Sequence, residues 1–406
     1  MNIVYVAPAS PWPADFGGGM RVAALLAALE RRARVRLIVV ADEPGAEARD
    51  FLARRGAQLW TPPRTGPLAR WSRLLRAAAA GRSIPAERFL EGGRRRLLVD
   101  SIADTHADLV ILSDTFLAEL APPLRARGCR LVVDTFNVES ELWRDVAAVS
   151  PSMFARAGYR LLASNTAALE RRTLPLAERV WAASEEDAAW YRGRLGLACV
   201  DVVPNVVHVG LVTDPVSTPA AKLPDVVVFT GYFAYAPNED AALRLLEISR
   251  DLHARGHVHR LHLVGRGPSP RLKEAAARVP HTLVTGEVES IEPWLAGASV
   301  FAAPLRAGSG TKFKILQAML AGLAVVTTSV GARGLGLEDG VHALVRDGAL
   351  FGDAIASLLA DPGRRAAIGE AGRRHVLERF GTSALELALD RSFAHLELGC
   401  QGGDER

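Results

Sequence analysis

The stretch GSGTKFKILQAMLAG, residues 308–322, joins a glycine-rich turn to a helical apolar pattern. Such a turn can hold a phosphate on the N-terminus of the helix, where backbone N–H groups and the helix dipole favour an anion. Two familiar phosphate motifs do not fit. Gly310 precedes Thr311 instead of the P-loop lysine, and Phe313 stands where the dinucleotide motif needs glycine. The ligand of this turn must therefore be inferred from the rest of the chain.

On both sides of this stretch, short apolar runs alternate with helical patterns, from NIVYVAP at 2–8 to LAVVTTS at 323–329. Runs that are apolar on both faces and separated by helices predict parallel sheets covered on both sides, an α/β fold. A proline-rich break at 203–225 indicates a connection between two such domains. The predicted parts are a first domain at 1–205, a second at 206–385, a C-terminal helix at 386–399 packing back on the first domain, and a disordered tail at 400–406.

The overall charge and the cysteines limit the function classes. The 406 residues carry 49 Lys+Arg against 45 Asp+Glu, a net charge of +4, which does not indicate a nucleic-acid partner. Cys129, Cys199 and Cys400 are far apart and show neither metal-ligand spacing nor a disulfide framework, which favours a reducing compartment. The N-terminus has the pattern of a strand, and no apolar run reaches the roughly 20 residues of a membrane span. We expect a cytoplasmic protein, at most peripheral to a membrane.

The segment 62–96 is strongly basic, with nine arginines against two acidic residues. Trp71, Leu74 and Leu75 share one face of a predicted helix with arginines around them. One interpretation is a peripheral contact with an anionic membrane surface or an anionic acceptor. The other is a solvated helix followed by an arginine-rich loop.

Two patterns bear on metal binding. His253, His257, His259 and His262 span a helix end, a turn and a strand start, so we do not expect them to converge on a metal. No Asp-x-Asp pair occurs, although such carboxylate pairs are typical of sugar transferases that hold a diphosphate through a divalent cation. We predict no metal site and no cofactor.

Three further glycine turns follow predicted strands: FGGGMR at 16–21, FTGYFAYAPNED at 229–240 and LVGRGPSPRL at 263–272. Turns at the carboxyl ends of parallel strands are where open α/β sheets bind ligands. Because the turns occur in both predicted domains, they indicate a ligand in a cleft between them.

The chain resembles the large family of retaining GT-B glycosyltransferases that includes bacterial mannosyl- and glucosyltransferases and sucrose synthases. The resemblance is carried by DTFNVESELWR (134–144), RVWAASEEDAAWY (179–191), FTGYFAYAPNEDA (229–241) and, most specifically, the run from 304 to 335. It covers nearly the whole chain. It implies two Rossmann-like doubly wound domains, an acceptor bound by the first and a nucleotide-diphosphate sugar bound by the second.

The resemblance also implies the donor site. Backbone amides of the turn would hold the diphosphate, and Ser309 and Gln317 stand where the family typically has two glutamates, the second of which contacts the ribose. Phe136 replaces a family histidine that lines the sugar site. The residues expected to contact the donor or to approach it are Gly18, Gly19, Gly231, Tyr232, Gly265, Arg266, Val288, Ser309, Gly310, Thr311, Lys312 and Gln317.

The chemistry needs cations, because breaking the sugar–diphosphate bond leaves negative charge on the phosphate. We rank Lys314 first, then Arg306, then Lys312, which we expect to face solvent. Family members of this type use a front-side displacement without a dedicated base. Glu139 is our candidate for a polar contact near the sugar or acceptor, with capping of the following helix by Asn137 and Glu139 as the alternative.

Three functions compete. The first is a retaining glycosyltransferase acting on a glycan, a lipid or a small-molecule hydroxyl. The second is a catalytically silent nucleotide-sugar-binding partner protein, suggested by Phe136 and Gln317. The third is another GT-B enzyme such as an epimerase or a phosphorylase.

Overall fold

The computed structural model describes residues 1–12, 17–41, 44–61, 77, 82–88, 90, 92–150, 152–207, 225–308 and 310–398. These residues form two compact units. Unit 1 holds the described residues of 1–144, 157–206 and 385–406, and unit 2 holds those of 145–156 and 207–384. The grouping differs from the predicted division at 145–156, which the predicted first domain included. Residues 208–224 of the predicted connection and the tail at 400–406 lie outside the described residues.

Unit 1 is built on one parallel sheet. Its strands are β1 (Asn2–Ala7), β2 (Arg34–Val40), β3 (Gln58–Trp60), β4 (Leu109–Ser113), β5 (Leu131–Asp134), β6 (Arg179–Ala182) and β7 (Val200–Val202). The seven strands lie in the order β3-β2-β1-β4-β5-β6-β7, all paired in parallel. The order reverses between β1 and β4, and open α/β sheets bind ligands outside the carboxyl ends at such a point.

Helices cover both faces of this sheet. The helices of this part of the chain are α1 (Gly17–Glu30), α2 (Ala46–Arg54), α3 (Gly92–Ala103), α4 (Ala121–Arg125), α5 (Glu139–Val149), α6 (Met153–Thr173) and α7 (Glu185–Leu195). Short 3-10 helices occupy Ala86–Arg88, Thr115–Leu120 and Leu174–Leu176. Side chains of a strand alternate between faces, so Val4 and Val6 of β1 join one apolar core while Ile3 and Tyr5 join another. This double burial explains why β1 is apolar from Ile3 to Ala7.

Unit 2 repeats the same plan with six strands. They are β8 (Val226–Thr230), β9 (Arg260–Val264), β10 (Thr282–Val284), β11 (Val300–Ala303), β12 (Ala324–Thr327) and β13 (Leu344–Val345). The parallel sheet has the order β10-β9-β8-β11-β12-β13 and reverses between β8 and β11. The helices from here to the C-terminus are α8 (Ala236–Ala254), α9 (Pro270–Ala276), α10 (Glu292–Ala296), α11 (Phe313–Leu320), α12 (Ser329–Ala332), α13 (Leu350–Ala360), α14 (Pro362–Phe380) and α15 (Thr382–Leu398).

The last helix, α15, packs against the sheet of unit 1. Leu385 and Leu389 belong to the apolar core that contains Ile3 of β1. The buried indole Nε1 of Trp181 on β6 donates a 2.7 Å hydrogen bond to Ser392 Oγ. The helix therefore adds both apolar area and a buried polar contact to the first half of the chain.

A buried polar network fixes the carboxyl edge of the sheet in unit 1. Arg21 of α1 forms a fully buried ion pair with Asp134 at the end of β5 and also donates a 2.9 Å hydrogen bond to Asn205 Oδ1. The second carboxylate oxygen of Asp134 accepts from Ser113 Oγ, which in turn accepts from Tyr5 OH, each at 3.0 Å. Separating the partners of a buried ion pair would leave an uncompensated buried charge, which is costly. The network therefore holds β1, β4, β5 and α1 in one arrangement.

Three further predictions meet the structure in part. Within the described ranges, no helix is both long enough and apolar enough to cross a bilayer. Much of the basic segment 62–96 lies outside those ranges, but Arg82 and Arg95 within it form ion pairs with Glu87 and Glu119. Cys129 is a free thiol. Cys199, in contrast, is disulfide-bonded, so the expectation from the cysteine spacing was wrong for this residue.

Candidate functional site

The donor residues predicted in the second half of the chain, as far as the structure describes them, lie in loops at one edge of the sheet in unit 2 or in α11, which follows one of these loops. Strands β9, β8 and β11 are neighbours, and their carboxyl ends lead into the loops that carry Gly265, Gly231 and Arg306. The loop after β11 continues through the glycine turn into α11. Residues as far apart in the sequence as Gly231 and Arg306 therefore share the edge beside the strand-order reversal, where ligands of such sheets bind.

Two glycines let the loops after β8 and β9 approach each other at backbone distance. The Gly231 N–H donates a 3.0 Å hydrogen bond to Val264 O. Gly265 has φ +139°, and a Cβ placed on it would lie only 2.0 Å from Gly231 O. A side chain at 265 is therefore excluded by both backbone conformation and space. This close approach is a feature of loops that bring backbone groups against a ligand.

The turn from the opening stretch of the sequence leads into a helix whose N-cap residue makes no side-chain cap. Helix α11 begins at Phe313; Lys312 is its N-cap residue without a side-chain cap hydrogen bond, and no acidic residue occurs in the first turn. The first N–H groups of a helix have no intrahelical partner, so this end can accept an anion. The buried Thr311 Oγ1 has no hydrogen-bond partner, which is a polar atom available to a ligand. Ser309 lies outside the described residues.

Lys312 corrects one expectation from the sequence. Its side chain does not face solvent but is buried, and its ammonium donates a 2.6 Å hydrogen bond to Gly310 O. Gly308 and Gly310 have φ values of +127° and +65°, which turn the chain so that the lysine folds back over the turn. Lys312 thus stabilises the shape of the turn and adds positive charge beside it.

Lys314 occupies the centre of this edge. Its Nζ lies 5.0 Å from the centroid of the Phe229 ring, and a Cβ built on Gly231 would be 3.3 Å from the same Nζ. The ammonium donates a hydrogen bond to Asn238 Oδ1, and Asn238 Nδ2 donates to Tyr232 O at 2.8 Å. Burial, with the nearby ammonium of Lys312 as a second cause, lowers the pKa of Lys314 to about 7. A cation held this way is incompletely satisfied until an anion arrives.

Asn238 was not singled out from the sequence. It lies in the third position of α8, seven residues after Gly231, within the FTGYFAYAPNEDA run. The signal available in the sequence was its place near a helix start that follows a glycine turn. Its contact with Lys314, 76 residues away, depends on the sheet order.

The loops after β9, β10 and β11 carry three other predicted site residues. Arg306 is half exposed, and its guanidinium pairs with Asp240 of α8, whose hydrogen bond raises the pKa of Arg306. The Arg266 guanidinium lies 5.1 Å from the centroid of the exposed Tyr232 ring. Val288 packs, partly buried, against the apolar core of the unit.

Gln317 is partly buried and lies three residues after Lys314 on α11. Residues three apart are neighbours on a helix surface. The amide of Gln317 and the ammonium of Lys314 therefore share one side of the helix.

Unit 1 carries a pair of carboxyl groups at the carboxyl edge of its own sheet. Glu139 is buried at the first position of α5 and accepts a 2.9 Å hydrogen bond from Asn137 Nδ2. Asp114 directly follows β4, the strand next to β5, and its φ of +103° is a conformation that favours glycine. Burial and then repulsion from Asp114 raise the pKa of Glu139, and burial also raises that of Asp114. Two such groups share protons as a pair.

Asp114 was missed in the sequence, where an isolated Ser-Asp-Thr gives no signal. Gly18 and Gly19, which were predicted to approach the phosphates or the acceptor, lie in the first turn of α1, after β1 at the same edge. Phe136 is partly buried and packs against the core that contains Trp181. A helix N-terminus, two carboxyl groups and an apolar ring thus surround the strand-order reversal of unit 1.

The histidines of 253–262 make hydrogen bonds and ring contacts. His259 Nδ1 contacts His257 O, and His253 Nε2 contacts His259 O, each at 2.9 Å. His262 packs edge-on against Trp294. Within the described part of the chain, no group of three or more His, Cys, Asp or Glu side chains is arranged to hold a metal ion.

The sequence was compared with known families. Residues 16–206 match the model of a "glycosyl transferase 4-like domain", and residues 224–361 match that of "glycosyl transferases group 1". The two matches divide at the boundary between the units and together span most of the chain. The chain belongs to the glycosyltransferases. No curated protein matches its sequence at a significant level.

Solved structures similar to this glycosyltransferase cover almost its entire length. A sucrose-phosphate synthase from Thermosynechococcus elongatus has a TM-score of 0.71 at 16% identity, covering 98% of this chain and 99% of its own. HepE from Anabaena, solved with UDP, has a TM-score of 0.67 at 17% identity and covers 97% of this chain and 100% of its own. The lipopolysaccharide outer core galactosyltransferase WaaB in its apo form has 0.63 at 13%, covering 98% and 100%. At these identities the likeness establishes the fold, which is GT-B.

Proposed function

We propose that this protein transfers a sugar from a nucleotide-diphosphate sugar to an acceptor hydroxyl with retention of the anomeric configuration and without a metal ion. The observation that carries the proposal is the surroundings of Lys314. A partly buried ammonium with a lowered pKa lies against Gly231 and belongs to the first turn of a helix whose N-cap residue makes no side-chain cap. A lysine at this end of a helix opposes the helix dipole, and a bound diphosphate would offset that cost. HepE, which has the same fold, has been solved with UDP and with UDP-glucose.

Binding of the donor follows from the same residues. Gly231 and Gly265 let the loops after β8 and β9 meet beside Lys314, and the N–H groups at the start of α11 donate to the diphosphate oxygens. The unpartnered Thr311 Oγ1 adds a hydroxyl at the turn. Gln317, on the side of α11 that carries Lys314, is the proposed contact of the ribose hydroxyls, through its amide oxygen or its NH₂ group.

The transfer step breaks the bond between the anomeric carbon and the diphosphate oxygen. The acceptor oxygen forms its bond to the same face of the anomeric carbon, and its proton passes to the departing phosphate oxygen, so nucleoside diphosphate leaves. Negative charge grows on that oxygen as the bond breaks. The charged form of Lys314 stabilises it, and a preorganised donor of this kind contributes about 3–4 kcal/mol in enzymes where one has been removed.

Glu139 and Asp114 are the proposed polar contacts of the acceptor in unit 1. A pair that retains one proton has both an acceptor oxygen and a donor O–H, so it can bind a hydroxyl in either sense. The hydrogen bond from Asn137 to Glu139 is also compatible with a capping role at α5. Phe136 and Gln317, which replace a histidine and a glutamate typical of the family, favour a second candidate, a silent nucleotide-sugar-binding protein.

A donor screen tests the proposal. UDP-, GDP- and dTDP-sugars are added to the protein in EDTA, and unfolding is followed by thermal shift, because a ligand of the native state raises Tm by mass action. The best donor is then incubated alone, and release of nucleoside diphosphate is measured. Lys314→Met should reduce both the shift and the release, while Lys273→Met, which replaces an exposed lysine of α9, should keep both. Release that requires added Mg²⁺ or Mn²⁺ contradicts the metal-free step, and a thermal shift without release favours the silent protein.

A further inference from the structure

An exposed indole lies in unit 1, in the segment after β1. Trp12 is 48% exposed, a large fraction for a side chain of this size. Its backbone is fixed by Ser10: the Trp12 N–H donates to Ser10 Oγ at 3.2 Å, and Ser10 Oγ donates to Trp12 O at 2.6 Å. A local turn at Ser10 thus fixes the backbone that carries the indole ring.

The indole is also supported by packing. It stacks on Phe51 of α2 with centroids 6.2 Å apart and an interplanar angle of 17°. The Arg55 guanidinium lies 4.3 Å from the centroid of the Phe51 ring and is itself hydrogen-bonded to Glu30. An aromatic ring held in place over part of its surface and open over the rest is preorganised for a ligand, because little side-chain entropy remains to be lost.

The position of Trp12 in the fold connects it to the two carboxyl groups. Phe51 is the sixth residue of α2, so it lies only about 8 Å along the helix from the end that follows β2. Asp114 and Glu139 follow β4 and β5 at the same edge. From β2 to β5 this edge is about 14 Å wide, since neighbouring strands lie about 4.8 Å apart. A short oligosaccharide can span that width.

The chemistry of this edge suits a sugar ring. The C–H groups on one face of a pyranose are apolar and weakly positive, and they fit the negative face of an aromatic ring. The hydroxyls at the rim of the sugar need hydrogen-bond partners, which buried carboxyl groups supply. A lipid chain has no use for such carboxyl groups.

We propose that the acceptor is a saccharide, with one pyranose ring stacked on Trp12 and another residue presenting its hydroxyl to Asp114 and Glu139. The identification of this saccharide as the acceptor rests on the proposed function, although saccharide binding at Trp12 does not require that transfer occurs. A sugar-free lipid is the competing acceptor class.

The test measures binding without catalysis. Maltotriose, cellotriose and laminaritriose are offered separately in saturation-transfer NMR, with dodecyl phosphate as the sugar-free lipid. At least one trisaccharide should receive saturation at its ring C–H protons. Trp12→Ala should weaken that saccharide about tenfold, the value of one aromatic contact, and Trp12→Phe should stay close to the parent. Phe154→Ala, which removes another highly exposed aromatic side chain, is the control and should bind like the parent.

Several results overturn the inference. They are equal saccharide binding in Trp12→Ala, saturation of dodecyl phosphate with none of the three trisaccharides, and no binding of any probe. The Tm shift given by the best nucleotide sugar should be the same in Trp12→Ala and the parent, which verifies that the variant is folded. If that shift and nucleotide release are absent in the parent as well, the proposed transfer fails, while the saccharide measurement still decides the role of Trp12.

Discussion

Binding of the donor should take up a proton at Lys314. In the free protein its pKa is lowered to about 7, chiefly by burial, so at pH 8 about one side chain in ten carries a charge. A diphosphate beside the ammonium returns the pKa toward its ordinary value near 10.4. The diphosphate of a nucleotide sugar has no proton to exchange in this range. Donor binding should therefore be accompanied by uptake of about 0.9 proton by the protein at pH 8, about 0.5 at pH 7 and about 0.1 at pH 6.

The same shift fixes the pH dependence of affinity. When the pKa of a base rises on binding, the binding free energy becomes less favourable by about 1.36 kcal/mol for each pH unit above the pKa of the free protein. Donor affinity should be level below pH 7 and should then fall about tenfold per unit. Calorimetry in buffers of different ionisation enthalpy gives the proton number and Kd in one series at pH 6, 7 and 8.

Three variants isolate the lysine. Lys314→Met should bind the donor more weakly and take up no proton, because the titrating group is gone. Lys314→Arg keeps a charge at every pH and should also take up none. Lys273→Met should repeat the parent. Uptake below about 0.2 proton at pH 8 in the parent, or equal uptake in Lys314→Met, refutes the reasoning from the surroundings of Lys314.

The remaining predictions concern both units. Glu139→Gln should slow transfer, and it should raise Tm more at pH 9 than at pH 5. A carboxyl whose pKa is raised on folding contributes stability below its ordinary pKa near 4 and loses that stability as pH rises through the raised pKa. A Tm difference between Glu139→Gln and the parent that is independent of pH counts against the raised pKa. Gln317→Leu should weaken the donor by about 1–3 kcal/mol and Gln317→Glu should keep or tighten it, measured by calorimetry, and unchanged affinity in Gln317→Leu rejects the ribose contact. Gly265→Ala should lower Tm and abolish the donor-induced shift in Tm, since its Cβ would meet Gly231 O at 2.0 Å. The control Gly158→Ala in α6, where the added Cβ meets open space, should leave Tm unchanged or raise it. Normal donor binding in Gly265→Ala contradicts the close approach of the two loops.

Much of the fold follows from local pattern. Double-faced apolar runs such as β1 and β8 identify parallel strands because burial on both faces leaves no polar position. The start of α11 next to Lys314 could also be predicted, since the helical spacing begins directly after the turn. These features depend on neighbours in the sequence, and the structure has them where the pattern placed them.

The contacts of the site depend on sheet order and turn geometry, which the pattern does not contain. Lys312 was expected to face solvent, but two glycines with positive φ fold it onto Gly310 O. Asn238 meets Lys314 only because β8 and β11 are neighbours. Asp114 gains significance only beside Glu139, from a different strand. Long-range partners of this kind need three-dimensional information.

The measurement closest to the central claim is NMR of the reaction itself. The best nucleotide sugar from the screen is incubated with its saccharide acceptor in EDTA, and the anomeric proton of the transferred sugar is followed with time. We expect nucleoside diphosphate and a single new glycoside with the anomeric configuration of the donor. Lys314→Met should raise the activation free energy of this transfer by about 3–4 kcal/mol. An inverted product, or a donor that binds and is never cleaved, contradicts the proposed function.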